Sequence, residues 1–258
     1  YNFVRAADDV ADHATLAPDK KLALLDGLAR ALTGEGPSDP IAEPLKRTLA
    51  ERNITPRHAL DLIDAFKLDA TKNRYRDFDD LIDYCRLSAM PVGRYVLDVH
   101  GESRETWAAS DKLCAALQII NHLQDCGKDY RLLNRVYLPQ DCLRAHGAAV
   151  ETLAAARSSP ELSSCLHRLA GRAADYFGSQ PPLADDIKDT RLACEIAAIA
   201  ALARRLLGIL QNADPLADKV HLSRATLLAV MAGSVTKTLK RRLLTWGSAL
   251  GGAQDLRL

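Results

Sequence analysis

The sequence predicts an all-α protein. Apolar residues recur every three or four positions along most of the chain, no convincing segment alternates between apolar and polar residues, and aromatic residues make up only 5%. The 258 residues are 48% hydrophobic, which is enough to form a substantial core. We therefore expect a single domain over residues 1–258, built from about eight or more helices.

The predicted helices of the first half have recognisable ends. The first lies in YNFVRAADDVAD, and the second, KLALLDGLARAL, stops at Gly34 before the loop GEGPSDP. Thr55 fits the N-cap of the next helix and Pro56 its first position. One further helix is expected over residues 77–101, interrupted at Pro91 and Gly93.

In the second half, Ser110 is a plausible N-cap for a helix in SDKLCAALQIINHLQDCGKDY, which is followed by the short element LPQDCLRAHG. Helical spacing of apolar residues predicts the remaining elements: SPELSSCLHRLAGRAADYFG, TRLACEIAAIAALARRLLGIL and SRATLLAVMAGSVTKTLKRRLLTWGSAL.

Composition makes several functions improbable. Thirty-four basic and 33 acidic residues give a net charge of +1, which offers no general reason to expect nucleic-acid binding. No apolar run approaches the roughly 20 residues of a membrane span, and we expect no signal peptide within these residues. The chain begins at Tyr1, inside an apparent helix, so we expect that an upstream segment is missing.

The six cysteines form no C-x-x-C pair and lie in apolar helical patterns, which indicates buried thiols in a reduced, cytoplasmic protein. The seven histidines show neither H-x-x-x-H nor H-E-x-x-H, so the sequence gives little reason to expect zinc.

Two acidic patterns stand out. In DDVAD, Asp8 and Asp12 are four residues apart and share one helix face. In NHLQDCGKD, Asn121, Asp125 and Asp129 form a second stripe, which is flanked by Leu117, Ile120 and Leu123 and interrupts an otherwise apolar helix face. Either pattern alone is also typical of a solvated helix face.

The two patterns together favour a metal site. Two unit charges about 6 Å apart repel by roughly 3 kcal/mol at an effective dielectric near 20, which is a large cost for a domain of marginal stability. A hard cation that prefers oxygen ligands removes that repulsion. Mg²⁺ combines one or two carboxylates with waters and substrate phosphates, so the patterns indicate a site for a phosphorylated substrate.

These motifs resemble those of the squalene and phytoene synthase family, which carries D-x-x-x-D on one helix and N-x-x-x-D-x-x-x-D on another. The segments YNFVRAADDVAD, YCRLSAMPVG, NRVYLPQD and DKVHLSR are similar to four further landmarks of that family. The resemblance covers nearly the whole chain.

The resemblance implies the isoprenoid synthase fold, a single helical domain in which the two acidic helices face each other across a central active-site cavity. It implies that Mg²⁺ is the cofactor and a prenyl diphosphate the substrate. The metal ligands it implies are Asp8, Asp9, Asp12, Asn121, Asp125 and Asp129. The four essential for catalysis are Asp8, Asp12, Asp125 and Asp129.

Substrate-binding roles are also implied by position. Arg5, Lys128 and Arg135 are candidates to neutralise the diphosphate. Leu87 and Ser88 could orient a water molecule beside Pro91. The further substrate-binding positions are Tyr1, Tyr84, Val92, Gly93, Gln118, Tyr137 and Lys219. Close helix packing is the alternative role for Gly93, core burial for Tyr84, and a structural kink for Pro91.

Departures from the family pattern indicate a branch. Gln124 and Lys128 replace an arginine and a glutamate, and SAM followed by Pro91 replaces VAG. These features are most similar to the hydroxysqualene synthases of bacterial hopanoid biosynthesis. That branch implies presqualene diphosphate as the substrate, water as the nucleophile and no NADPH.

Two alternative functions remain open, and contact with a membrane surface is compatible with the enzymatic one. Head-to-head coupling of farnesyl diphosphate, which yields squalene, dehydrosqualene or phytoene, belongs to the same family. A non-catalytic assembly factor of the same fold is disfavoured by the intact aspartates. KTLKRRLLTW could contact anionic lipid at a membrane surface, although a packed terminal helix with a solvated basic face is the favoured interpretation.

Overall fold

The computed structural model describes residues 1–178 and 182–251, with side chains as far as residue 244. Within these residues it is helical with no strand, apart from an isolated bridge between Arg74 and Val136. The predicted all-α class is confirmed. The α-helices in these residues are α1 (Asn2–Ala11), α2 (Pro18–Thr33), α3 (Ala42–Glu51), α4 (Arg57–Thr71), α5 (Phe78–Ser88), α6 (Met90–Val99), α7 (Trp107–Leu133), α8 (Gln140–Ala145), α9 (Pro160–Phe177), α10 (Leu183–Asp186), α11 (Thr190–Leu210) and α12 (Arg224–Gly251).

Several helix ends follow from local sequence. Gly34 ends α2 at φ 83°, a left-handed conformation that glycine adopts without steric cost. The Asp77 carboxylate caps α5 by accepting a hydrogen bond from the Asp80 backbone N–H at 2.9 Å. The Thr55 hydroxyl accepts one from the Arg57 N–H at 3.2 Å, although the cap residue of α4 is Pro56.

The expectation of one interrupted helix over residues 77–101 is wrong. The chain forms α5 and α6, which meet at Ala89. Pro91 occupies the first turn of α6, where a backbone N–H has no acceptor within the helix and proline is tolerated. Pro91 therefore begins a helix and does not bend one.

Ser110 is not the N-cap of α7. That helix begins three residues earlier at Trp107, after a 3₁₀ turn at Arg104–Thr106, and Ser110 is buried within it. Its hydroxyl faces α6, because a Cβ added to Gly93 would lie 2.5 Å from both Ser110 Oγ and Cys114 Sγ. The structure thus supports close helix packing at Gly93.

The buried apolar residues form two clusters. The larger surrounds α7, with Ile119, Ile120 and Leu123 almost fully buried, and includes residues of α9 and α11. The smaller joins Phe3 on α1 to residues of α2, α3 and α4, among them Ile63. Helix α1, which carries the first acidic motif, therefore packs into the smaller cluster, and helix α7, which carries the second motif, packs into the larger.

Helix α12 packs mainly against α11 and keeps several large apolar side chains exposed, including Leu228, Leu239 and Leu243. Arg241 pairs with Asp185 at 3.0 Å, and Arg242 donates to the Ala184 carbonyl at 3.1 Å. Some basic residues of this helix thus contact protein, while lipid contact stays a prediction. In the described residues, no helix has both the length and the apolar character needed to cross a bilayer.

Candidate active site

The first acidic motif lies at the C-terminal end of α1. Asp8 and Asp9 belong to the last turns of the helix, and Asp12 is the residue that caps it. Arg5 forms ion pairs with Asp8 at 3.0 Å and with Asp9 at 2.8 Å. Burial nevertheless raises the pKa of Asp8, and the neighbouring Asp12 charge raises it further.

Arg135 holds Asp12 in place. Its Nη1 donates to Asp12 Oδ1 at 2.6 Å, its Nη2 to the Ala11 carbonyl at 3.2 Å, and its Nε to the Asp69 carbonyl at 3.1 Å. The guanidinium is buried and joins the end of α1 to α4. Because these three nitrogens already donate to protein, the geometry makes Arg135 a support for Asp12 before it is a ligand for diphosphate.

Behind Arg135 lies the buried carboxylate of Asp69. It accepts hydrogen bonds from the hydroxyls of Tyr84 and Tyr137, each at 2.9 Å. Burial raises the pKa of Asp69 to about 6, although Arg135 and the two tyrosines oppose the shift. Tyr84 and Tyr137 thus belong to a satisfied polar network that fixes the end of α1.

An imidazole extends this network towards α7. The ring of His122 stacks on Tyr137 with the ring centroids 3.6 Å apart. Gln118 Nε2 lies 3.1 Å from His122 Nε2, within hydrogen-bond distance. Burial lowers the pKa of His122 to about 3, so the ring is neutral. Gln118 lies on α7 about one turn before Asn121, so the network reaches the helix that carries the second motif.

The second motif lies in the middle of α7. Asn121 and Asp125 are exposed and Asp129 is partly buried. Within residues 1–178 and 182–244, none of the three forms an ion pair or a side-chain hydrogen bond. Burial raises the pKa of Asp129 to about 6, with a further contribution from Asp125, and Lys128 only partly offsets it.

The two motifs share one electrostatic environment. Asp12 contributes to the raised pKa of Asp129, and Arg135 lowers the pKa of both Asp129 and Asp8. Among the described side chains, however, the carboxylates do not form a cluster of three ligand atoms within 4.8 Å of one another. The motifs are therefore near enough to interact through space while remaining separate groups of oxygen donors.

Two adjoining cavities lie beside α1, of about 240 Å³ and about 600 Å³, and both are lined by Tyr1, Phe3, Leu45 and Tyr95. The smaller cavity is largely apolar, and its lining includes Pro91 and Val92 at the start of α6. The lining of the larger cavity includes the charged residues Arg5 and Asp9 of α1.

The other predicted substrate-binding residues lie elsewhere. Leu87 packs against the larger apolar cluster, and Ser88 Oγ is buried without a hydrogen-bond partner among the described atoms. Lys128 and Lys219 are exposed. Gly93 packs between α6 and α7. Their roles in substrate binding stay predictions.

Sequence reasoning missed Asp69 and His122. Asp69 had a detectable signal: it follows Leu62 and Ala65 at helical spacing, so a carboxylate occupies the buried stripe of α4. The sequence signal for His122 was weaker: this residue follows Asn121 and lies between Ile119 and Leu123, which are buried.

A sequence model of squalene/phytoene synthases matches residues 1–226, with both acidic motifs inside the matched region. The chain belongs to the squalene/phytoene synthase family.

Relatives within this family support the assignment. The chain is 56% identical to a hydroxysqualene synthase of Rhodopseudomonas palustris, over 94% of this chain and 83% of that protein. It is 51% identical to a hydroxysqualene synthase of Sinorhizobium fredii, over 99% of this chain and 88% of that protein.

A solved structure shows the fold. The crystal structure of squalene synthase HpnC from Alicyclobacillus acidocaldarius superimposes with a TM-score of 0.69 at 33% identity, covering 81% of this chain and 79% of that one. The helices therefore adopt the isoprenoid synthase fold of this family, as the sequence resemblance implied.

Proposed function

We propose that this protein converts presqualene diphosphate and water to hydroxysqualene and diphosphate, with Mg²⁺ as the cofactor and without NADPH. The observation that carries the proposal is the 56% identity to a hydroxysqualene synthase over 94% of this chain. The active site proposed is the space between the α1 motif and the α7 motif.

The residues present fit Mg²⁺. The two motifs offer oxygen donors only, and the pKa values of Asp8 and Asp129 are raised first by burial and then by a neighbouring carboxylate, both of which a bound cation would offset. The proposed ligands are Asp8, Asp9, Asp12, Asn121, Asp125 and Asp129. When bound, Mg²⁺ would neutralise charge on the departing diphosphate.

The protein's own residues supply orientation and an apolar surface. Arg135 and the Asp69 network hold Asp12, so that oxygen donor needs little rearrangement. Arg5 and Lys128 are the cations beside the motifs that could approach diphosphate oxygens. The apolar cavity lined by Pro91 and Val92 is proposed to enclose the hydrocarbon chain, which limits uncontrolled access of water to the carbocation.

Gln124 supports the choice of substrate. Its side-chain amide donates to the Val220 carbonyl and so ties α7 to the segment before α12. The family pattern has an arginine at this position, and coupling two farnesyl diphosphates brings two diphosphates to the metals. With Gln124 engaged and uncharged, the α7 motif lacks a fixed bidentate cation here and has the mobile ammonium of Lys128 one turn later; this change in the position of the charge supports a substrate with one diphosphate.

Product analysis tests this proposal. The protein is incubated with Mg²⁺ and either presqualene diphosphate or farnesyl diphosphate, and the products are separated by gas chromatography. We expect hydroxysqualene from presqualene diphosphate without NADPH, and slow or undetectable turnover of farnesyl diphosphate. Formation of presqualene diphosphate, squalene or a phytoene-type product from farnesyl diphosphate at a comparable rate would establish head-to-head coupling instead. No turnover of either substrate would favour the non-catalytic alternative.

Ser88 is proposed to orient the attacking water. Its buried hydroxyl lacks a partner among the described atoms and lies three residues before Pro91, which lines the apolar cavity. Ser88→Ala should increase the hydrocarbon fraction of the product, with Pro91→Gly as the comparison for a change in backbone position. An unchanged ratio of alcohol to hydrocarbon in both variants refutes this role.

A further inference from the structure

Two thiols face each other outside the proposed active site. Cys142 on α8 and Cys165 on α9 have their Sγ atoms 3.0 Å apart. Cys142 is 6% exposed and Cys165 is fully enclosed. The two residues are 23 positions apart in sequence, so a bond between them would join α8 to α9 across an intervening loop.

The surroundings of the two sulfurs shift the two thiol pKa values in opposite directions. The hydrogen bond from Cys165 lowers the pKa of Cys142 to about 7, and the nearby His146 and Arg172 lower it further against the effect of burial. The same hydrogen bond, together with burial, raises the pKa of Cys165. Of the two thiols, Cys142 is therefore the one that ionises more readily.

We propose that Cys142 and Cys165 form a modification site, at which a hydroperoxide oxidises the two thiols to a disulfide. The Cys142 thiolate attacks the peroxide O–O bond, giving a sulfenic acid and, after protonation, water. The Cys165 sulfur then displaces hydroxide from the sulfenic sulfur, and a proton completes a second water. In sum, two thiols and one hydrogen peroxide give one disulfide and two waters.

The separation of the two sulfurs makes a metal the weaker interpretation. Cys142, His146 and Cys165 could together offer three ligand atoms. His146 Nδ1 lies 2.8 Å from the Cys142 carbonyl and donates its proton there, which leaves Nε2 as the ring atom that could bind a metal. The sulfurs, however, are 3.0 Å apart, closer than the separation of about 3.8 Å that two thiolates take around tetrahedral Zn²⁺.

Closure of the bond requires the two sulfurs to approach by only about 1 Å, because a disulfide joins sulfurs about 2.0 Å apart. Cys142 is the less enclosed residue of the pair, and we assign it as the member that the oxidant reaches first. The bond would fix α8, which directly follows the segment that carries Arg135 and Tyr137, against α9.

The test is a peptide map of the wild-type protein. The protein is treated with hydrogen peroxide, remaining thiols are alkylated, and the digest is analysed without reduction. We expect a loss of two of the six thiols, a peptide pair linked through Cys142 and Cys165, reversal by dithiothreitol, and a Tm rise of roughly 5 °C.

Matched variants sharpen the result. Cys142→Ser and Cys165→Ser should each lose the linked pair, whereas Cys194→Ser, on α11, should retain it. Six free thiols after oxidation, a disulfide between other cysteines, or protection of the pair by stoichiometric Zn²⁺ would each overturn the proposal. The wild-type map decides the matter even if a serine variant fails to fold.

Discussion

The two acidic motifs differ in how much of their negative charge is already held by protein. On α1, Arg5 pairs with Asp8 and Asp9, and Arg135 holds Asp12 at 2.6 Å. On α7, Asn121, Asp125 and Asp129 form no ion pair or side-chain hydrogen bond with any side chain that the structure describes.

Because of this difference, we expect the two halves of the proposed site to need different amounts of rearrangement when a cation binds. The α1 half is positioned by a buried network, so its geometry exists before any cation binds. The α7 half presents oxygen donors whose mutual repulsion Lys128 and Arg135 relieve only in part, which is a condition that favours binding of a divalent cation. The predictions below separate these two kinds of contribution.

The largest effect is expected at Asp125 on the unpartnered side. Asp125→Asn should lower turnover by about 10³-fold or more, because a proposed metal ligand loses its charge. It should leave Tm unchanged or slightly raised, since an exposed carboxylate without a partner contributes little to folding. Steady-state kinetics and calorimetry measure both quantities.

Asp175→Asn, an exposed aspartate on α9, is the matched control and should be neutral in both assays. Wild-type turnover by Asp125→Asn at saturating Mg²⁺ would remove Asp125 from the site.

A smaller loss of activity, accompanied by a loss of stability, is expected on the partnered side. Arg135→Lys cannot reproduce the three donations to Asp12, Ala11 and Asp69. We expect turnover to fall about 10- to 100-fold, as is typical for residues that orient metal ligands. Unfolding free energy should fall by about 3 kcal/mol, because a buried ammonium leaves some of these acceptors without a donor and is more strongly hydrated than a guanidinium.

Arg168→Lys, at an exposed position of α9, serves as the control and should change neither quantity measurably. Equal effects of the two substitutions would show that the network around Arg135 does not support the site.

The third prediction concerns pH. Because burial and Asp125 raise the pKa of Asp129 to about 6, Mg²⁺ must displace a proton at lower pH. The apparent affinity for Mg²⁺ should therefore fall about 10-fold for each pH unit below 6, when followed by titration calorimetry with diphosphate present. Asp129→Asn should remove this part of the dependence, and an unchanged slope in that variant would assign the proton to another group.

The same pKa shifts determine how the free energy of unfolding of the metal-free protein changes with pH. The folded-state pKa values of Asp129 and Asp69, about 6, exceed the ordinary value of 3.8. Protonated carboxyls thus favour the folded state, and this contribution is complete below pH 3.8 and lost as pH rises through about 6. Urea unfolding in metal-free buffer should show a falling free energy of unfolding between pH 4 and 6.

The smallest effect is expected at Gln124, which lies within the α7 motif but faces Val220. Gln124→Ala removes one hydrogen bond and should cost about 1 kcal/mol of stability, with turnover within about threefold of wild type. A loss of activity comparable to that of Asp125→Asn would place Gln124 in direct contact with substrate.

The sequence was sufficient for the fold class and for the two motifs, because periodic apolar residues and i, i+4 carboxylates are local patterns. It was not sufficient for the contacts of Arg135, whose partner Asp12 lies 123 residues away. Pro91 was misplaced because a proline inside an apolar run can either bend a helix or begin one. The Cys142–Cys165 pair likewise depends on the packing of α8 against α9, which no local spacing reveals.

Thermal denaturation with Mg²⁺ and inorganic diphosphate tests most directly whether the two motifs act as one site. The account predicts that the pair of ligands raises the wild-type Tm by several degrees, that neither ligand alone does so to the same extent, and that both Asp12→Asn and Asp125→Asn abolish the rise. The same rise in either variant as in the wild type would contradict the claim that the α1 and α7 motifs bind one metal–diphosphate complex between them.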